Sequence, residues 1–185
     1  EVAQCIYGVE KLDAGTVYME GKPIKNKNTQ QGLRNGIGYL PEDRQIEGLL
    51  LPWSIADNIT LASLSKFQKR GLIQRKKLLN SAKQTAERLE VKAVSVLDAA
   101  DSLSGGNQQK VVVGKVLESE AKIIILDEPT KGVDVGSKAS MYEIMSELAS
   151  QGYGILMISS EMPEILGMCD RIMVMREGRI SAVLD

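Results

Sequence analysis

Two short stretches carry residue types and spacings suited to chemistry on phosphates. The first is Ile123-Ile124-Ile125-Leu126-Asp127-Glu128-Pro129-Thr130. An apolar strand ending in two successive carboxylates puts Asp127 and Glu128 at the carboxyl edge of a sheet, where α/β proteins bind ligands. Neighbouring residues on a strand point to opposite faces, so the two acids should do different work. One can hold a magnesium ion, usually through water, because that hard cation favours carboxylate oxygens. The other can orient and polarise a water for attack on a phosphoryl group. Apolar strands followed by acids are also common as plain turns, so this octapeptide is suggestive and no more.

The second stretch is Leu103-Ser104-Gly105-Gly106-Asn107-Gln108-Gln109-Lys110, followed by a helical run at 111–117. A serine and two glycines opening a helix present backbone N–H groups that no side chain obstructs. The helix dipole adds partial positive charge there, which makes an anion site. A bare Ser-Gly-Gly would otherwise read as an ordinary N-cap after a turn. The sequence contains no histidine. That excludes Ser-His and Cys-His nucleophile pairs and His-ligated metals, leaving carboxylates, amides, hydroxyls and backbone groups.

The elements that must position these residues follow from periodicity. Residues 1–7 read as the end of a helix that Gly8 terminates. The segment 15–21 reads as a short strand entering a turn, 29–34 as a short helix and 37–40 as a strand stopped by Pro41. Ser54 and Asp57 resemble a capping box opening a helix at 55–64. From 66 to 97 glycine and proline nearly vanish, and Leu72, Ile73, Leu78, Leu79, Ala82, Ala86, Leu89 and Val91 recur at helical spacing, which predicts a helical insert. Its basic run at 66–77 reads as a solvated helix face rather than a nucleic-acid site. Beyond 103, strands at 123–126, 154–158, 171–175 and 180–183 alternate with helices at 137–149 and 161–166. Apolar strands without alternation predict a sheet covered on both faces.

Composition sets the frame. The 185 residues suffice for one well-cored domain. Lys and Arg total 23 against 24 Asp and Glu, a net charge of −1, so there is no global electrostatic reason for a nucleic-acid partner. No apolar stretch approaches the length of a membrane span, so any membrane role must come through a partner. Cys5 and Cys169 have no metal-type spacing and read as thiols of a reducing compartment.

Taken together, Leu-Ser-Gly-Gly-x-Gln-Gln, one helix, and then Asp-Glu-Pro-Thr resemble the signature and Walker B pair of the ABC ATPase family, with Gly132-Val133-Asp134 similar to its D-loop. The resemblance covers essentially the whole chain. The strings at 36–44, 47–49, 131–137 and 159–164 narrow it to the second nucleotide-binding half of bacterial sugar importers of the ribose and galactose type. It implies an α/β P-loop NTPase core at 1–53 and 118–185, carrying a helical subdomain at 54–117 that ends in the signature helix. It further implies ATP and Mg2+ as ligands, Glu128 as the catalytic carboxylate, and Asp127 and Glu42 toward the metal. Ser104, Gly105, Gly106, Gln108, Glu42, Asp134 and Ser160 are then nucleotide-binding residues, with 104–108 closing in trans on ATP held by a companion ATPase half. Membrane permease subunits, and indirectly a periplasmic or extracellular sugar-binding protein, are the implied partners, with the protein peripheral at the cytoplasmic face of the cell membrane and no nucleic acid bound. The permease would meet the surface near 42–53 and the helical insert.

Three departures stand out. No G-x-x-x-x-G-K-[ST] loop occurs, so residues 1–7 are expected to be the tail of that loop's helix, truncated from a longer protein, and weak ATPase activity is expected of the chain alone. Glu42 stands where the family's Q-loop glutamine usually lies. Ser160 stands at the position of the switch histidine and cannot carry its charge. A slow or mainly nucleotide-holding site is the implication. The competing readings are a soluble ABC ATPase of DNA repair or translation, and a module that binds nucleotide without cleaving it.

Overall fold

A computed structural model describes residues 1–185. Its centre is a three-stranded parallel sheet in the order β3 (Ile37–Leu40), β6 (Ile123–Asp127), β7 (Gly154–Ile158). The register aligns Leu40 with Leu126 and Leu126 with Met157, so all three strands end at one edge. The middle strand is an uninterrupted apolar run because both of its faces are covered. Ile124 and Leu126 enter a core of 23 buried residues shared with helices α3 (Ile55–Thr60), α4 (Arg75–Arg88), α5 (Gly105–Glu118) and α6 (Val135–Ser150). Ile125 points the other way, into a smaller cluster with Ala3, Ile37 and Tyr39 beneath helix α1 (Val2–Tyr7). Each fully buried Ile or Leu contributes about 1.5–3 kcal/mol, so this double burial fixes both the strand and its register.

Most expected elements are present. Helix α1 ends at Gly8, whose amide donates to the Gln4 carbonyl. Helix α2 (Thr29–Arg34) is capped by Asn28. The Ser54 hydroxyl accepts the Asp57 amide and caps α3. The last segments are helix α7 (Met162–Met168) and the hairpin β8 (Ile172–Arg176) with β9 (Arg179–Leu184).

The strand expected at 15–21 is β1 (Val17–Met19), and it enters a turn at Glu20 and Gly21, which both take positive φ and lead into β2 (Lys22–Ile24). Two expectations are corrected. The helix expected at 55–64 stops at Thr60 and continues as a tighter 3₁₀ segment, Leu61–Phe67. The insert is not helical from its start: Leu72 and Ile73 form strand β5 (Leu72–Ile73) against β4 (Gln68–Lys69), turning at Arg70 and Gly71. Their side chains are 75 % and 48 % exposed, whereas Leu78, Ala82 and Ala86 form the buried stripe of α4 as expected.

Candidate functional site

The parallel register brings the sequence-predicted acids to one place. Glu42 follows β3, Asp127 and Glu128 close β6, and Ser160 follows β7, all at the carboxyl edge of the sheet. Strand alternation turns Asp127 to the side of Ile125, where its Oδ2 accepts the Tyr39 hydroxyl at 2.7 Å. Tyr39 is in turn stacked on Tyr7, with ring centroids 5.3 Å apart. Burial first, and then the bond to Asp127, push the Tyr39 phenol above its ordinary value of 10.0. The phenol therefore stays protonated and keeps donating.

Glu128 is held differently. Its φ is 48°, in the left-handed region that a side chain other than glycine adopts at a cost of about 1–2 kcal/mol. Two bonds fix it there: its amide donates to the Ile158 carbonyl at 2.9 Å, and its Oε1 accepts the Ser160 amide at 2.9 Å. The carboxylate is thus anchored through one oxygen. Ser160 enters the site by its backbone.

Below the edge, Glu164 is buried at 4 % exposure and joins the two loops. Its Oε1 accepts the Thr130 hydroxyl at 2.7 Å, and its Oε2 accepts that of Ser159. A buried carboxylate needs such donors, and here they clamp the loop after β6 to the loop after β7.

The opening of α5 forms the second part of the site. Ser104 is the N-cap, yet its hydroxyl makes no capping bond to the helix and instead accepts Asn107 Nδ2 at 2.9 Å. The first-turn amides at Gly105 and Gly106 have no intrahelical acceptor. Gly106 is buried against α6, where an added Cβ would lie 2.1 Å from Ser137 Oγ. Asp134 caps α6, with its Oδ1 accepting the Ser137 amide at 3.0 Å and its Oδ2 the Ser137 hydroxyl at 2.7 Å. The contribution of Asp134 here is to set the start of α6 beside the signature glycines.

Two predicted residues have partners within the fold. Gln108 is 4 % exposed; its Nε2 donates to the Ala100 carbonyl at 3.3 Å and its Oε1 accepts from Gln45 at 3.2 Å. The side chain therefore braces the helix from within the fold. Glu42 pairs with Lys131 instead of standing free toward a metal, and that bond raises the lysine's pKa.

Sequence reasoning missed Arg44. It lies in a single wide turn, Arg44–Gly48, capped by Asp43. Its Nη1 donates to the Lys131 carbonyl at 2.9 Å and its Nη2 to the Gly132 carbonyl at 3.3 Å. Nη2 also fills the space where a Gly105 Cβ would stand, at 2.7 Å. One guanidinium thus ties the β3 loop, the signature turn and the loop before α6. The nearest available signal was the unusual Glu42-Asp43-Arg44 run, which says nothing of partners some ninety residues away.

No group of three or more Asp, Glu, His or Cys is gathered to cage a metal. Asp127 offers Oδ1, its other oxygen being held by Tyr39. One oriented carboxylate beside a phosphate site suits magnesium, which keeps its waters and takes its remaining ligands from phosphates. The residues fit such an ion arriving with a nucleotide.

This pairing of a Walker B edge with a signature helix defines an ATP-binding cassette. The chain belongs to the ABC transporter family, whose model matches residues 1–131. It is 50 % identical over 184 residues to the ribose import ATP-binding protein RbsA of Lactococcus lactis subsp. lactis strain IL1403, and 48 % identical over 181 residues to that of Bacillus subtilis strain 168. These alignments take in 100 % and 98 % of this chain, which spans 37 % of the length of each relative. In three dimensions it is similar to a nucleotide-free ATP-binding cassette from an ABC transporter, with TM-score 0.83 and 25 % identity over 98 % of this chain and 74 % of that one. No helix is long and apolar enough to cross a membrane.

Proposed function

We propose that this chain supplies the Walker B edge and the signature turn of an ATPase that energises import of a sugar, at the cytoplasmic face of the membrane and bound there to permease subunits. The carrying observation is the division of labour at the end of β6: Asp127 is turned onto Tyr39, while Glu128 is locked by Ile158 and Ser160 with one oxygen available. Glu128 then orients the attacking water and accepts its proton, and Asp127 would help hold a magnesium ion that arrives with the nucleotide. Magnesium, when bound, neutralises charge on the transferring phosphoryl group. The amides at Ser104, Gly105 and Gly106 donate to the γ-phosphate of ATP held by a companion half, because they stand at the start of α5 and have no acceptor in their own helix. Gln108 supports that turn from behind.

Glu42 joins the metal site only after leaving Lys131, which makes that ion pair a gate between resting and loaded states. Ile46, Leu50 and Trp53, 81 %, 40 % and 51 % exposed, form the apolar surface offered to the permease. The substitutions at Glu42 and Ser160, together with the strings shared with ribose-type importers, favour the second half of a double ATPase. The similarity to ribose importers makes a pentose or related sugar the transported class, and an extracellular sugar-binding protein an indirect partner.

The test is Glu128→Gln in the full-length ATPase assembled with its permease. Turnover is expected to fall at least about 100-fold with ATP binding retained, the loss typical of removing a positioned general base. Unchanged turnover, measured as phosphate release, would leave this edge as a nucleotide-holding site and transfer the chemistry to the companion half. The 185-residue chain by itself is expected to hydrolyse ATP near background.

A further inference from the structure

The hairpin β4–β5 and the start of α4 form a surface, within the helical insert, that neither the sheet edge, the signature turn nor the apolar permease patch at Ile46, Leu50 and Trp53 includes. No acidic residue occurs between Asp57 and Glu87, while seven of the chain's 23 basic residues fall in that interval. In a chain of net charge −1, one face is therefore strongly positive and the remainder is negative. Every residue from 68 to 77 is exposed. Three of the cations are neutralised locally: Arg75 pairs with Asp57, Lys66 with Glu120 at 2.9 Å and Lys83 with Glu87 at 3.7 Å. Lys69, Arg70 and Lys76 have no carboxylate partner, and Lys77 reaches only the Lys66 carbonyl, at 3.4 Å.

Local electrostatics alone do not favour this arrangement. Arg75, Lys76 and Lys77 occupy the first turn of α4, where no acid is present and Gln74 makes no side-chain cap. Cations at the positive end of a helix dipole are destabilising, so an external anion would relieve them. An open depression of about 670 Å³ lies alongside, lined by Phe67, Gln74, Asn80 and Gln84 among others.

The apolar content decides between anionic partners. Lys69 pairs directly with Leu72 across the hairpin, so a cation and an exposed aliphatic side chain share one face. Ile73 is exposed beside them, whereas Phe67, the aromatic side chain in this stretch, is buried at 2 % exposure. Single-stranded nucleic acid is gripped by exposed aromatics stacking on bases, and none is offered here. Aliphatic side chains among lysines and arginines match the boundary between anionic headgroups and acyl chains.

We propose that the Lys69-Arg70-Gly71-Leu72-Ile73 hairpin docks on an anionic phospholipid bilayer, with Lys76 and Lys77 on the headgroups and Leu72 and Ile73 dipping below them. This contact is independent of nucleotide and of the permease. The experiment is co-sedimentation of the 185-residue chain with vesicles of phosphatidylcholine alone or mixed with phosphatidylglycerol, at low and high salt. Binding is expected to the mixed vesicles only, and to be largely lost at high salt. Lys69→Gln with Arg70→Gln should weaken it about 30-fold, at roughly one lipid-facing charge each. Leu72→Ser with Ile73→Ser should weaken it about tenfold with the salt dependence retained. All four positions are exposed, and thermal unfolding of each variant checks that the fold is kept. Equal partition onto neutral vesicles, no effect of the paired substitutions, or equal binding to single-stranded DNA that ignores Leu72→Ser with Ile73→Ser would each overturn the proposal.

Discussion

The sheet edge and the opening of α5, the two regions proposed to meet phosphate, are built in opposite ways. At the edge, side chains do the work and each is restrained: Asp127 by Tyr39, Glu128 by a left-handed backbone and the Ser160 amide. At α5 the working groups are backbone amides, and the side chains nearby serve only to place them. Arg44 fills the flank of Gly105, Ser137 that of Gly106, and Gln108 is anchored behind. A group that reacts within its own module must be locked to that module. A group that meets a ligand arriving on another module needs open approach on a rigid mount. The contrast supports the proposal that the edge does chemistry in cis and the turn recognises its ligand in trans.

The sharpest way to break this contrast is to disturb the mount and leave the edge alone. Gly106→Ala places a Cβ 2.1 Å from Ser137 Oγ, so α5 and α6 must separate. A loss of about 1–3 kcal/mol in chemical denaturation is expected from such overpacking. ATP turnover of the assembled protein should fall about 100-fold, because the amides are displaced by a fraction of an ångström or more. Adding Ser137→Gly should restore much of both. Failure of that rescue would show that Gly106 acts through something other than close approach.

Next in size is Arg44. Arg44→Ala removes two bonds from a charged donor to carbonyls and should cost about 1.5–3 kcal/mol. Arg44→Lys keeps the charge but not the fork, and is expected to recover less than half of that loss. Equal stability of the two variants would mean that charge alone matters and that the link between the two regions is not geometric.

The smallest effect sharpens the edge itself. Tyr39→Phe removes the Asp127 contact and should cost about 1 kcal/mol near neutrality. The Tyr39 pKa is raised in the fold, so the stability it provides is complete below about pH 10, its unfolded value. That stability is lost as pH rises toward the folded value. Denaturation midpoints should therefore fall more steeply above pH 10 in the native protein than in Tyr39→Phe, and parallel slopes would contradict the assignment.

Much of this arrangement was legible in the residue order. An apolar strand ending in two acids fixes the edge, and a Ser-Gly-Gly helix start fixes the turn, because both signals are local. Glu128's partner and Arg44's partners were not legible, since they depend on loops 32 and some ninety residues apart meeting in space. The partners of Gln108 were hidden by the same limit: three-dimensional packing buries it between Gln45 and Ala100. Leu72 and Ile73 fit a helical period by spacing, but Arg70-Gly71 between them and Lys69 forms a hairpin turn that interrupts it. The clamp at Glu164 escaped notice because a glutamate in a short helix ordinarily faces water.

Hydrogen–deuterium exchange at the amides of residues 104–106 tests the central division most directly. The measurement uses the full-length ATPase carrying Glu128→Gln, with and without ATP and magnesium, under conditions where the companion half is present. The account predicts that ATP slows exchange at those three amides, and that removing the companion half abolishes the effect. Exchange at 104–106 that is indifferent to ATP, while the Glu128–Ser160 edge becomes protected, would contradict it.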